Sequence, residues 1–183
     1  MENFMHSVIF SNRLAPVVLI AAAATVSQAR AAAIPVPTSL QTAPTQTLAL
    51  EAHAVGVQIY TCSAPKTAGA KPEWILKAPD AVLYDAAGAK VAKHYAGPTW
   101  EAADGSKVVG KARVSTLPTP SAIPWLLLDV TSTEGSGMFS RVTAVQRLAT
   151  EAGKAPASGC DDGSLGKEVR VPYKAVYRFY TAK

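Results

Sequence analysis

The feature that most constrains this chain is a period-two alternation of side chains that returns, segment after segment, between turn-forming residues. Val55, Val57, Ile59 and Thr61 alternate with Gly56, Gln58, Tyr60 and Cys62, the spacing of a strand with one buried face. Near the C-terminus Val169, Val171, Tyr173, Ala175, Tyr177 and Phe179 share one side, opposed by Arg170, Lys174 and Arg178. Pro172 lies inside that run, which implies an edge position or a bulge.

The intervening chain obeys the same rule. Glu73–Lys77 reads as a short strand stopped by Pro79, and Ala81–Asp85 with Lys90–Tyr95 reads as a hairpin around Gly88. Gly97–Glu101 is a third short strand. Asp104-Gly105 then turns the chain into Lys107–Leu117, where Val108, Gly110, Ala112, Val114 and Thr116 are expected on one face. Ile123–Val130, with Trp125-Leu126-Leu127-Leu128, is apolar on both faces and should be the most buried strand. Phe139–Thr150 has spacings compatible with a helix, but its Val and Thr content and its context favour a strand. Turns every ten residues or so and about nine short strands predict an all-β sandwich or barrel in a single domain.

Three regions are expected. Residues 1–29 read as a signal peptide: Arg13 precedes an apolar run, Leu14–Val26, and Ser27-Gln28-Ala29 or Ala29-Arg30-Ala31 offers a cleavage site. The run is shorter than the roughly 20 residues a membrane span needs, so the mature form is expected to have no membrane span. Residues 30–47, with Pro35, Pro37 and Pro44 among Thr, Ser and Ala, read as a tether that is poorly ordered or lies along the domain surface. Residues 48–183 form the β domain. Export leads to the periplasm or the extracellular space. In an oxidising compartment the two cysteines, Cys62 and Cys160, are most simply a disulfide.

The formal net charge is +5. The basic residues are scattered singly, which argues for a soluble cationic surface and against a nucleic-acid partner. No G-x-G-x-x-G follows a strand and no G-x-S-x-G elbow is present, so dinucleotide binding and a serine-hydrolase elbow have no support. No cofactor and no metal site is expected.

The densest chemistry lies between His94 and Gly110. His94, Glu101 and Asp104 could supply a general base with carboxylate partners, or ligands for one metal. Trp100, Tyr95 and His94 are the candidate ligand-binding residues, with Trp100 expected at the rim and Trp125 in the core. Arg170, Lys174 and Arg178 would form a cationic stripe, solvated or open to an anionic ligand.

Several motifs occur in order: G-V-Q-I-Y-T-C (56–62), H-Y-A-G-P-T-W-E-A-A-D-G-S-K-V (94–108), I-P-W-L-L-L (123–128), V-Q-R-L-A-T (145–150), G-C-D (159–161) and V-P-Y-K-A-V-Y-R-F-Y (171–180). Together they resemble an uncharacterised family of exported bacterial and fungal proteins, domain-of-unknown-function family 3455, from about Leu48 to Tyr180. The resemblance implies an exported single domain and carries no established catalytic residues. The leading expectation is an exported, disulfide-stabilised, non-catalytic β module that binds a saccharide, an anionic envelope component or another ligand. The alternatives are a small secreted hydrolase or metal-assisted enzyme using His94, Glu101 and Asp104, and a structural stress or surface protein without a small-molecule site.

Overall fold

The computed structural model describes Met1 and residues 33–183; the expected signal peptide falls outside the described residues apart from Met1. Eight strands make one antiparallel sheet that closes on itself. They are β1 (Gln46–Ser63), β2 (Glu73–Tyr84), β3 (Lys90–Tyr95), β4 (Thr99–Ala102), β5 (Lys107–Thr116), β6 (Trp125–Glu134), β7 (Val142–Ala152) and β8 (Glu168–Ala182). Each strand pairs with its sequence neighbour, and β8 returns to pair with β1 from Gln46↔Ala182 to Thr61↔Glu168. Of the two architectures the alternation allowed, the barrel is the one formed. Closure through the β1–β8 pairing leaves neither terminal strand as a free sheet edge, which limits the hazard that an exposed edge presents.

Eight strands replace the nine expected because Pro79 does not end a strand. Glu73–Tyr84 runs through it, with Pro79 opposite Gln58 of β1. Proline lacks only a donor, and β3 begins its pairing further along, at Ala81↔His94, so no second neighbour asks for that donor. Pro172 repeats the arrangement. It sits opposite Val57, while the pairing of β7 with β8 stops at Ala152↔Tyr173.

The interior takes one phase of each alternation. Tyr173, Ala175, Tyr177 and Phe179 of β8 are buried, as are Ala52, Ala54, Gln58, Tyr60 and Cys62 of β1, whereas Val55 is exposed. Burial of aromatic and aliphatic surface here supplies the main stabilisation, at roughly 25 cal/mol per Å² of apolar area. In β5 the expected single face divides. Ala112 pairs with Leu128 but Val114 pairs with the adjacent Leu127, so Arg113 is the extra residue of a bulge. Val108 therefore joins the interior cluster and Val114 an outer one.

That outer cluster explains the Pro-rich segment. Leu40, in a 3-10 turn Thr38–Leu40, is fully buried with Leu127, Ala144 and Leu148, and Ile34, Val36 and Trp125 pack against them. Gln146 Nε2 donates to the Leu40 carbonyl oxygen, and Tyr180 Oη donates to Gln146 Oε1 at 2.7 Å. The expected tether is thus a strap lying along the barrel, ordered by one leucine and a buried amide. Only at Leu126–Leu128 is β6 covered on both faces, Leu126 and Leu128 facing the interior side and Leu127 the strap. Its remainder is largely exposed, so the most buried strand is not β6 as expected but β7, where Val142, Ala144, Val145, Gln146, Leu148 and Thr150 are buried. Trp125 packs under the strap and not in the barrel core.

Cys62, at the end of β1, is bonded to Cys160 in the loop before β8, across a sequence separation of 98. The bridge ties that loop to the barrel rim beside the Gly166 N–H to Cys62 carbonyl bond of 2.9 Å. Among the described residues no helix is long and apolar enough to cross a membrane.

Candidate functional site

Strand lengths create the site. The hairpin of β3 and β4 is short, while β2 and β5 on either side are long. β2 pairs with β3 only over Ala81–Tyr84. β5 pairs with β4 only over Lys107–Val109, followed by one bond from Gly110 N–H to the Pro98 carbonyl oxygen. Among the described residues, the first part of β2 and the second part of β5 therefore each have a neighbour on one side only. A cavity of about 580 Å³ is lined by Leu76–Pro79 of β2, Gly97 and Pro98 of the hairpin turn, and Gly110–Ala112 of β5. Its other walls are Gln58, His94, Trp100, Leu126, Leu128, Thr131, Arg147 and Tyr177. That volume lies in the range of ordinary small-molecule sites.

The aromatic wall is built by register. His94 pairs with Trp100 across β3 and β4, which puts both side chains inward and in direct apposition. Their rings stack with centroids 4.4 Å apart and planes 5° from parallel. Tyr177 meets both edge-on, at 5.2 Å from His94 and 5.4 Å from Trp100. Gly110 lets β5 pass close over this pair, since a Cβ there would sit 3.2 Å from Trp100 Cζ3 and 3.3 Å from Leu128 Cβ.

His94 is buried, and its Nδ1 lies 2.8 Å from the Thr99 carbonyl oxygen. A carbonyl only accepts, so Nδ1 carries the proton and Nε2 is the free acceptor of a neutral ring. Desolvation holds the imidazole down, from 6.5 to about 3; the Thr99 carbonyl opposes this and the Arg147 charge adds to it. Tyr177 is raised by desolvation, with Arg147 pulling the other way, and its hydroxyl is 3.4 Å from that of Tyr173.

Arg147 is the half-buried cation of the cavity wall, which the exposed Lys77 and Lys111 also line. Its Nε donates to the Pro124 carbonyl oxygen at 3.0 Å, and among the described residues no carboxylate forms an ion pair with it. Two further donors are notable. Gln58 Nε2 and Trp100 Nε1 are buried and have no hydrogen-bond partner among the described residues, on side chains only 1% exposed. A buried donor left unmatched costs about 1–3 kcal/mol.

The sequence candidates divide between the two faces of the sheet. His94 and Trp100 line the cavity, and Trp100, expected at the rim, is buried in its wall. Tyr95 and Glu101 lie on the outer face, where Tyr95 Oη donates to Glu101 Oε2 at 2.8 Å; that bond, the largest cause, raises the phenol. Asp104 organises the β4–β5 turn. It accepts from Ser106 N–H at 2.9 Å, Ser106 Oγ and Met138 N–H, and the Ser106 hydroxyl leads in holding its carboxyl below the usual range. His94 thus has neither carboxylate beside it: Glu101 takes the opposite phase of β4 from Trp100, and Asp104 lies beyond the end of β4, engaged in the turn. Among the described residues no cluster of three His, Cys, Asp or Glu side chains could hold a metal ion. Arg170, Lys174 and Arg178 each face an acid: Asp80, Glu151 and Glu51.

Gln58, Arg147 and Tyr177 were not singled out from sequence as site residues. For Arg147 a signal existed: it is the lone cation inside V-Q-R-L-A-T, a run otherwise suited to a buried strand. Gln58 gave none, since its alternation admits either face.

A family model described as a protein of unknown function, DUF3455, matches residues 43–181. No curated protein and no solved structure matches the chain.

Proposed function

The chain belongs to the DUF3455 family of proteins of unknown function, and from that premise we propose that it is an exported, non-catalytic binding module that takes a small ligand into the barrel cavity. The observation that carries the reading is the pair of buried donors, Gln58 Nε2 and Trp100 Nε1, left without partners in the wall of a cavity of about 580 Å³. Buried polar groups are nearly always matched, and a ligand in the cavity would match them. The apolar remainder of the wall, with Leu126, Leu128, Pro79 and Pro98, suits a ligand that brings its own hydrophobic surface.

Binding is favoured over catalysis by the state of His94. A base whose conjugate acid has a pKa of about 3 is poorly matched to proton transfer near neutrality, and Glu101 and Asp104 point to other tasks. Stacking of a saccharide on an open aromatic face is not the favoured mode, since one face of Trp100 is occupied by His94 and the residue is buried. Export rests on Arg13 followed by the apolar run Leu14–Val26, and the Cys62–Cys160 bridge suits an oxidising compartment.

Thermal unfolding and tryptophan fluorescence of the purified protein test this reading against a panel of small amphipathic acids, alcohols, amines and sugars. A ligand selective for the native cavity raises Tm and perturbs an emission component that Trp100→Phe removes. Gly110→Val, which would drive a branched side chain into Trp100 and Leu128, should abolish the Tm rise. Ligand effects that persist unchanged in Gly110→Val, or no effect from any class, would overturn the assignment of the cavity.

A further inference from the structure

The wall of the cavity also specifies the charge of its occupant. Resting on the binding function above, we propose that the ligand is a monocarboxylate with an apolar body, its carboxylate held by Arg147 and by the buried donors of Gln58 and Trp100, its body against Leu126, Leu128 and the Trp100 ring.

Sign comes first. Lys77, Lys111 and Arg147 line the cavity, and among the described residues no aspartate or glutamate does. Lys77 is engaged by Glu168 on the outside of the barrel, and Lys111 is exposed at the mouth on β5. Arg147 is half-buried on β7. It pairs with Tyr177 across β7 and β8, and its charge acts on Tyr60, His94, Tyr173 and Tyr177. A half-buried guanidinium with no carboxylate partner is an unusual expense for a fold, because charges removed from water are normally paired.

Hydrogen-bond polarity agrees with the charge. The unmatched atoms Gln58 Nε2 and Trp100 Nε1 are donors, and the guanidinium nitrogens of Arg147 can only donate. An indole and a guanidinium donate in every orientation, so this polarity does not depend on which way the Gln58 amide is turned. A carboxylate, which only accepts and presents two oxygens, satisfies such a set; an alcohol satisfies part of it and an ammonium none. The number of charges follows from the depth of the cations. A single guanidinium reaches the interior, and the two lysines are engaged or exposed, so one negative charge is matched and a second would be buried unpaired.

The test uses three probes with one apolar body, 4-phenylbutyrate, 4-phenylbutanol and 4-phenylbutylamine, titrated into the purified protein by calorimetry. The carboxylate should bind at least tenfold more tightly than the alcohol, and the amine more weakly than either. In Arg147→Met, whose stem keeps much of the packing volume, the carboxylate should lose that tenfold advantage while the alcohol still binds. Trp100→Phe, which keeps a ring and removes the N–H, should weaken the carboxylate more than the alcohol in a protein that still unfolds cooperatively. If alcohol and carboxylate bind alike in the wild type, or the preference survives Arg147→Met, the anion assignment is overturned while the cavity remains a binding site. If none of the three probes binds, the binding function itself fails along with it. The wild-type series decides the matter even if Arg147→Met does not fold.

Discussion

Replacing His94 should remove most of the loss of stability between pH 7.5 and pH 5. In the unfolded chain the imidazole takes up its proton near 6.5, while in the barrel burial, reinforced by Arg147, delays this to about 3. Between those values the unfolded state binds more protons, so acidification favours unfolding. The contribution is fully present above 6.5 and is lost progressively as pH falls toward 3. At 1.36 kcal/mol per pH unit, the loss is about 2 kcal/mol at pH 5 and is capped at about 5 kcal/mol below pH 3. His94→Asn keeps a side-chain N–H for the Thr99 carbonyl oxygen, removes the titrating group and leaves a small void against Trp100. It should cost about 1–3 kcal/mol at pH 7.5 and show little further loss down to pH 5. The carboxyl of Asp104, held below its ordinary 3.8, titrates beneath that window and does not confuse the comparison. Urea unfolding followed by tryptophan fluorescence at several pH values measures both curves. Parallel curves for the two proteins would refute the reasoning, as would an imidazole that titrates near 6.5 in the folded state by NMR.

Three other perturbations have definite outcomes. Cys62→Ser opens a loop with a sequence separation of 98 and should lower stability by about 4–5 kcal/mol in the chain-entropy description; reduced wild type and variant should then unfold alike, and an equal gap with and without reductant would contradict this. Gly56→Ala sets a Cβ onto the carbonyl of Asp80 and the Cα and Cβ of Ala81, where backbone must move, so urea unfolding should show a loss of about 3 kcal/mol or more; a variant near wild type would remove the close β1–β2 approach from the account. Gln146→Leu breaks the amide link from Leu40 to Tyr180, should cost about 1–3 kcal/mol, and should expose residues 34–45 to proteolysis. Unchanged cleavage there would mean that the strap is held by Leu40 packing alone.

Much of this molecule was legible along the chain because strands announce themselves locally. Alternation in 55–62 and 169–179 and the Gly88 and Gly105 turns are short-range signals, and the cysteine pair follows from composition; each corresponds to an observed element. Pro79 misled for a local reason as well. Proline forbids a ladder bond only where a second strand asks for one, and whether β3 extends that far is not written near residue 79.

The site is the opposite case. His94 and Trp100 could be noticed as chemistry, but their juxtaposition is a matter of β3–β4 register. The separation of Tyr95 and Glu101 from them follows from which phase of the alternation faces inward, and that of Asp104 from the end of β4 at Ala102. A cation at 147, an amide at 58 and a tyrosine at 177 come from three different strands and meet only because β8 closes against both β1 and β7. Sequence by itself therefore determined the strand content, the turns and the cysteine pair, which depend on neighbours a few residues apart or on composition. Closure of the barrel decided the cavity, its donors and its sign of charge, because those depend on long-range pairing that sets unmatched groups from distant strands in the wall of one cavity.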